Sequence, residues 1–310
     1  MPAVTWLLPV KNGMPFLRST LEALSRQTYR DAIILAWDNG STDDTVAELH
    51  RWIPSRLPGR IITDQPLPYP ASLAALVELA DTPLCARIDA DDESEPHRLA
   101  TQVAFLEQHP RVLLVGSQIS PIDAAGQPVT FHYPLPVSYA EILHQLLETN
   151  CISHPTVMFR REAVLAVGNY RLPQPIEDYD LWLRVAARGE IHNLPDRLLR
   201  YRVHPGGVTH QALKAQTLAD SLDAAWLRNA AAFCGLADPA TAQRLRQRTS
   251  RVALPALWAI ARTFQRRDGV APLARFRRAS FNRVCRHHLA PGDTITKAFL
   301  KACMLAGSRN

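Results

Sequence analysis

No two of the five cysteines, Cys85, Cys151, Cys234, Cys285 and Cys303, have the close spacing of a CxxC motif. An odd, dispersed set excludes a disulfide framework and fits a reducing compartment. The opening "MPAVTWLLPVKNG" lacks a basic segment followed by an apolar one, so no signal peptide is expected. No stretch reaches the roughly 18 uninterrupted apolar residues that a membrane span needs. The strongest, "VALPALWAIA", is too short and carries a proline. Internal repeats and low-complexity tracts are also missing. These absences leave a chain that is soluble or lies on a surface.

Acidic residues are scarce at one end. Residues 241–310 hold 15 Lys and Arg against only Asp268 and Asp293, a net +13, whereas the first 240 residues hold 20 against 27, a net −7. Opposite charge in two regions suggests two jobs. The chain as a whole is 47% hydrophobic and 21% charged, the composition of an ordinary globular protein of 310 residues.

Short apolar runs alternate with helical patterns over the first two hundred residues. "VTWLLPV" (4–10) reads as a buried strand, and the segment after it has helical spacing at Phe16, Leu17, Leu21 and Leu24. "AIILAW" (32–37) is a second strand. Ser41 or Thr42 in the "DNGSTDDT" turn is expected to cap a helix running through Val46, Leu49 and Trp52. "RIIT" (60–63), a helix over 71–80 and "LCARI" (84–88) continue the alternation, which predicts βαβ units and a parallel sheet. Beyond residue 110, "VLLVGSQISPID" and "QPVTFHY" predict an antiparallel pair. A helix over 138–148 follows, then an acidic-capped helix in "IEDYDLWLRVAARG" closed by Gly189. "EIHNLPDRLLRYRVHPGG" predicts two last strands. From Gln211 onward the patterning is only helical, with the boundary at Gly207 to His210.

In open α/β sheets a ligand sits outside the carboxyl ends of the strands. Asp38 ends the second strand and Asp89 the fourth, so both should face one crevice. The run "RIDADDESE" then admits two readings. It is a solvated turn with Asp92 or Ser94 capping the next helix, or it is a divalent metal site, because carboxylates this close repel unless a cation lies among them.

The order and spacing of "WDNGSTDDT", "RIDADD", "IEDYDLWLR" and "YRVHPGG", with "LLPVKNGMPFLRSTLEALSRQTYRD" and "SHPTVMFRREAVLAVGNYR", resemble glycosyltransferase family 2, the inverting enzymes of GT-A fold. The resemblance covers roughly residues 3–209. It implies an α/β, Rossmann-like, mixed but mostly parallel sheet flanked by helices. The catalytic domain would be 1–209, with a nucleotide-binding half (1–118) and an acceptor half (119–209), and 210–310 would be a basic α-helical appendage.

Such enzymes move a sugar from a nucleotide diphosphate, and a Mn²⁺ or Mg²⁺ ion stabilises the leaving phosphates. The resemblance makes Asp91 the direct metal ligand and Asp89 the partner of the ribose or the hydrated metal. Asp92 is second to these or a cap, with the cap favoured. His204 matches a position that adds an imidazole to the metal, which suits Mn²⁺; an exposed loop histidine is the plain alternative. Asp38 matches the aspartate that accepts from a uracil or thymine imide N–H. Pro9, Val10, Lys11 and Asn12 would line base and ribose, although strand packing explains Pro9 and Val10 equally well.

Asp178 of the "ED" pair is the candidate general base for the acceptor hydroxyl. Glu177, His154 and Trp182 are candidate acceptor contacts. Trp182 is also a natural core residue, and His154 and Arg160 equally surface residues, while Asp180 reads as structural. The sequence departs from the pattern at "DQPLPYPASLAALVELADTPL", rich in Pro and without Gly where many relatives carry a Gly/Asn-rich segment. That leaves the donor open more than the reaction.

The C-terminal arginines Arg266, Arg267, Arg275, Arg277, Arg278, Arg283 and Arg286 alternate with Leu273, Phe276, Phe281 and Val284. Such a surface can bind anionic lipid, nucleic acid or a partner helix, or simply be solvated. With a sugar-transferase core it suggests a saccharide or lipid-linked acceptor at the cytoplasmic face of a membrane, in surface polysaccharide or glycolipid synthesis. A nucleotidyltransferase of related topology would show a Gly-rich phosphate loop near the first strand, which "PVKNGMPF" does not supply. A nucleic-acid-binding module sits poorly with the acidic first 240 residues.

Overall fold

The computed structural model describes residues 3–130, 134–147, 149–171, 176–207 and 218–240, with 242, 243, 260, 262, 263 and 266. Its first half is an unbroken βα alternation: β1 (Val4–Val10), α1 (Leu17–Ser25), β2 (Ala32–Asp38), α2 (Thr45–Trp52), β3 (Gly59–Ile62), α3 (Tyr69–Leu79) and β4 (Leu84–Arg87). The four strands pair in parallel, in the order β3-β2-β1-β4. Leu7 and Leu35 face one helical layer while Trp6, Leu8, Ile34 and Ala36 face the other, so both faces of the sheet are covered and the strands read as continuous apolar runs. Pro9 is tolerated in the central strand because it lies past the last β1–β4 pair, Leu7 with Arg87.

The second half completes the sheet with β5 (Glu93–Ser94), α4 (Arg98–Gln108), β6 (Val112–Ile122), α5 (Tyr139–Gln145), β7 (Met158–Arg160), α6 (Arg161–Ala166), α7 (Glu177–Ala186), β8 (Glu190–Arg202) and α8 (Leu218–Cys234). The strand order is β3-β2-β1-β4-β7-β6-β8-β5, with β7 antiparallel to both neighbours and β8 parallel to β6.

Four expectations need correction. Helix α2 starts at Thr45, not after Ser41 or Thr42: Asp43 Oδ1 accepts from the Thr45 N–H at 3.0 Å while Ser41 turns its hydroxyl to Asp38. The hairpin expected after β6 shrinks to one bridge, Ile122 with Pro128, because β6 takes β7 and β8 as partners; residues 131–133 lie outside the described residues. The two last strands are one 13-residue strand, β8, whose irregular register absorbs the break. Finally, neither Asp92 nor Ser94 caps a helix. Helix α4 begins at Arg98, Ser94 pairs with Leu199, and Asp92 Oδ1 accepts from the Arg202 N–H at 2.8 Å.

Helix α8 packs on α7, since Ala225, Trp226, Ala230 and Phe233 share one apolar cluster with Tyr179, Leu183 and Ala186 of that helix. Of the basic positions singled out beyond residue 240, only Arg266 is among the described residues, and it is exposed. No helix among the described residues is long and apolar enough to cross a membrane.

Candidate active site

The carboxyl ends of β1, β2 and β4 open onto one edge, where two loops are laced together. Asn12, in the left-handed region at φ 51°, accepts the Thr42 N–H on Oδ1 at 2.8 Å, and its own N–H donates to Ser41 Oγ at 2.8 Å. An asparagine tolerates this conformation better than most residues. The Gly13 N–H donates to Thr45 Oγ1 at 2.7 Å. Lys11 is exposed beside them, whereas Pro9 and Val10 are buried in the strand. Asp38 is only 2% exposed and serves its own turn, accepting from the N–H groups of Gly40 and Ser41 (both 3.0 Å) and from the Ser41 hydroxyl. A base contact at Asp38 therefore competes with three donors already in place.

Past the end of β4, Asp89, Asp91 and Asp92 offer carboxylate oxygens within 4.8 Å of one another. Burial and then the other two carboxylates push Asp92 well above the usual carboxylate range, and its Oδ2 has no hydrogen-bond partner among the described residues. Three converging acids with an orphaned oxygen form a hard oxygen donor set that fits a divalent cation. His204 comes from 113 residues further along the chain to place Nε2 2.9 Å from Asp91 Oδ2. Arg202 holds it there: its side chain donates to the Asp91 and Asp123 carbonyls and to Glu93, and its guanidinium lies over the Phe16 ring, which also contacts the His204 imidazole at 4.8 Å.

The N-terminus of α7 lies within electrostatic reach of this cluster, since Asp89 is among the charges that raise Glu177. Three acids, Glu177, Asp178 and Asp180, crowd its first turn, where the helix dipole favours them. Asp178 accepts from the Tyr179 N–H (2.7 Å) and from Asn150 Nδ2 (2.8 Å), yet burial still raises it to about 6. Burial and Asp178 raise Glu177 to about 8, and its Oε2 lacks a partner among the described residues. Asp180 is structural: Arg171, Arg184 and Asn229 of α8 all donate to it.

Two candidate acceptor contacts are buried, Trp182 in keeping with its reading as a core residue and His154 deeper than the sequence implies. Trp182 is fully buried, so its indole offers no face to a sugar; it packs edge-on to His154. His154 is 9% exposed and hydrogen-bonds the Tyr170 hydroxyl at 2.8 Å. Burial and the Arg87 charge hold it well below the usual histidine range, hence neutral, and its 3.9 Å approach to Glu177 is too long for a hydrogen bond. Arg160 donates to the Leu106 and Val112 carbonyls, a packing role.

Sequence reasoning missed Asn150 and Arg87. Asn150 lies in no motif that advertises chemistry; Arg87 opens "RIDADD", but there the aspartates draw the attention, and the signal available was a charge interrupting an apolar strand.

The family model described as "Glycosyl transferase family 2" matches residues 5–168. The amylovoran biosynthesis glycosyltransferase AmsE of Erwinia amylovora is 33% identical over 189 residues, 60% of this chain and 70% of that protein. Among solved structures, S. aureus TarS 1–349 in complex with UDP-GlcNAc superposes with a TM-score of 0.59 at 15% identity, covering 97% of this chain and 92% of that one. The mannosyltransferase PcManGT from Pyrobaculum calidifontis, in complex with GDP-Man and Mn²⁺, gives 0.60 at 17% identity, covering 99% and 86%. At such identity the two structures speak for the GT-A fold alone.

Proposed function

The chain belongs to glycosyl transferase family 2, and from that premise we propose that it is a metal-dependent inverting glycosyltransferase. In this reading it moves a hexosyl or N-acetylhexosaminyl group from a nucleotide diphosphate sugar, a UDP-sugar first, to a saccharide or lipid-linked acceptor in surface polysaccharide or glycolipid synthesis. One observation carries it: Asp91 and His204, far apart in sequence, converge past the end of β4, and Asp89 of the same cluster lies within electrostatic reach of Glu177, the neighbour of Asp178. The name of AmsE and the sugar nucleotides held by the two structural neighbours support a biosynthetic setting and a sugar-nucleotide donor.

Asp91 and His204 would hold Mn²⁺ or Mg²⁺, with Asp89 on the ribose or the hydrated ion. The cation would supply positive charge for the departing diphosphate. Asp178 takes the proton from the acceptor hydroxyl as that oxygen attacks the anomeric carbon from the face opposite the leaving group. A carboxylate near 6 is ionised at neutral pH yet basic enough for that transfer. Glu177, protonated at neutral pH, donates a hydrogen bond to a sugar oxygen. Residues 1–118 bind the nucleotide and 119–209 the acceptor. The basic region 210–310 rests on an anionic cytoplasmic membrane surface.

The test is release of free nucleoside diphosphate from a panel of UDP-, GDP- and dTDP-sugars, with Mn²⁺, Mg²⁺ or EDTA. Slow, metal-dependent hydrolysis of one donor, lost in Asp91→Ala, is the expected result. No release and no metal-dependent binding of any nucleotide would overturn the reading.

A further inference from the structure

Arg87 occupies a place that strand periodicity gives to an apolar side chain. It shares a face of β4 with Cys85, packs in the layer of α3 and α7, and is 1% exposed. Burying a guanidinium is costly unless it is paired and hydrogen-bonded. Yet its Nε and Nη1 find no acceptor among the described residues. A methionine would fill the space without that cost, so packing alone does not account for the charge.

Its partners show what the charge does. Nη2 donates both to Asp89 Oδ1 and to the Tyr69 hydroxyl, and the Tyr69 ring centroid lies 5.9 Å from the guanidinium. Arg98, the other large buried arginine of this region, behaves differently. It donates to the backbone carbonyls of Arg87 and Val157 and to the Gln102 side chain, and stacks over Trp6, the contacts of a packing residue. Arg87 makes no such carbonyl contact among the described residues. Its hydrogen bonds go to a site carboxylate and to the residue that opens α3. Tyr69 belongs to the Pro-rich segment in which the sequence departs from the family pattern, so that segment acquires a role.

We propose that Arg87 is a positioning residue that fixes the Asp89 carboxylate for the nucleotide, with Tyr69 bracing the guanidinium from the start of α3. The inference rests on the nucleotide-sugar reading above. Without the guanidinium, Asp89 loses the donor that orients it and faces Asp91 uncompensated. A lysine restores the charge but not the fork that reaches Asp89 and Tyr69 together.

The test is calorimetric titration of UDP, GDP and dTDP, each with Mn²⁺, into the full chain, with thermal melts alongside. Removing the partner that orients a ligand-holding carboxylate weakens binding by roughly 10–100-fold. Arg87→Met should lose affinity in that range, Arg87→Lys should recover part of it, and Tyr69→Phe should lose a few-fold, about 3-fold on the strength of one hydrogen bond. In an Asp89→Asn background Arg87→Met should cost little more, a coupling that a purely structural arginine would not show. A folded Arg87→Met that binds as the wild type does would overturn the proposal. If that variant does not fold, unchanged affinity in both Arg87→Lys and Tyr69→Phe would overturn it. If the wild type binds none of the diphosphates while remaining folded, the nucleotide reading fails and takes this inference with it.

Discussion

His204 Nε2 lies 2.9 Å from Asp91 Oδ2. The Arg202 N–H bonded to Asp92 and the Phe16 ring against the imidazole fix that approach. A carboxylate and an imidazole so held need little reorganisation to share a cation. His204→Ala should therefore weaken Mn²⁺ affinity by roughly 10–100-fold while leaving the fold intact, whereas Asp91→Ala should abolish metal-dependent binding. Metal titration followed by Mn²⁺ paramagnetic resonance reads both. Equal, unweakened Mn²⁺ binding in His204→Ala would remove the histidine from the metal site.

Asn150 favours the charged form of Asp178 by donating to Oδ2. Its loss should raise Asp178 above its value of about 6, moving the acid limb of the kcat/KM profile to higher pH and lowering the rate at neutral pH. Asn150→Leu against the wild type, measured from pH 5 to 9, checks the direction. A limb that stays in place or moves down contradicts it.

Glu177 is an acid raised from an ordinary 4.5 to about 8 by burial and by Asp178. Between those values the folded state holds a proton that the unfolded state has released, so stability falls as pH rises through the window. Below about 4.5 both states are protonated and the penalty vanishes. Glu177→Gln removes the titration, so it should gain on the wild type by on the order of 3 kcal/mol between pH 5 and pH 8. Urea unfolding at the two pH values measures the difference, and a gain at pH 5 instead would reverse the sign and refute it.

Asp180 joins α7 to α8 and to Arg171 through hydrogen bonds of 2.7–3.0 Å. Asp180→Ala would leave Arg184, itself 8% exposed, without its carboxylate. A loss of about 3 kcal/mol is expected for breaking such a pair, seen as a lower Tm. Asn229→Ala removes the bonds to Asp180 and to the Ala225 carbonyl and the long one from Arg171, but strands no buried charge, and should cost about 1–2 kcal/mol. Equal melting of wild type and Asp180→Ala would mean that α8 is not anchored there.

Much of this arrangement is legible in the sequence because a parallel sheet writes its strands as apolar runs. β1 to β4 stand where their patterns put them; Asp38 ends β2, and Asp89 follows two residues after β4. What resists reading is what depends on partners far along the chain. Asp92 looks like a cap until Arg202, 110 residues later, claims its oxygen. The strand β8 looks like two because Pro195 and Asp196 interrupt its pattern, and only pairing with β6 on both sides of the break keeps it whole. His154 reads as easily as a surface residue as a contact, and it is buried; Trp182, which reads as core more readily than as a sugar platform, is core. Arg87 and Asn150 have meaning only through the carboxylates they meet.

In the proposed mechanism the site has two sides, one that binds the nucleotide and one that activates the acceptor. Asp178→Asn tests it most directly, with Mn²⁺-dependent nucleotide binding and donor turnover measured on the same preparation. The expected result is binding within about 2-fold of the wild type with turnover lowered roughly 10²–10⁴-fold, the contribution of a positioned general base. Turnover retained, or binding and turnover lost together, would contradict the assignment of Asp178 to the acceptor side.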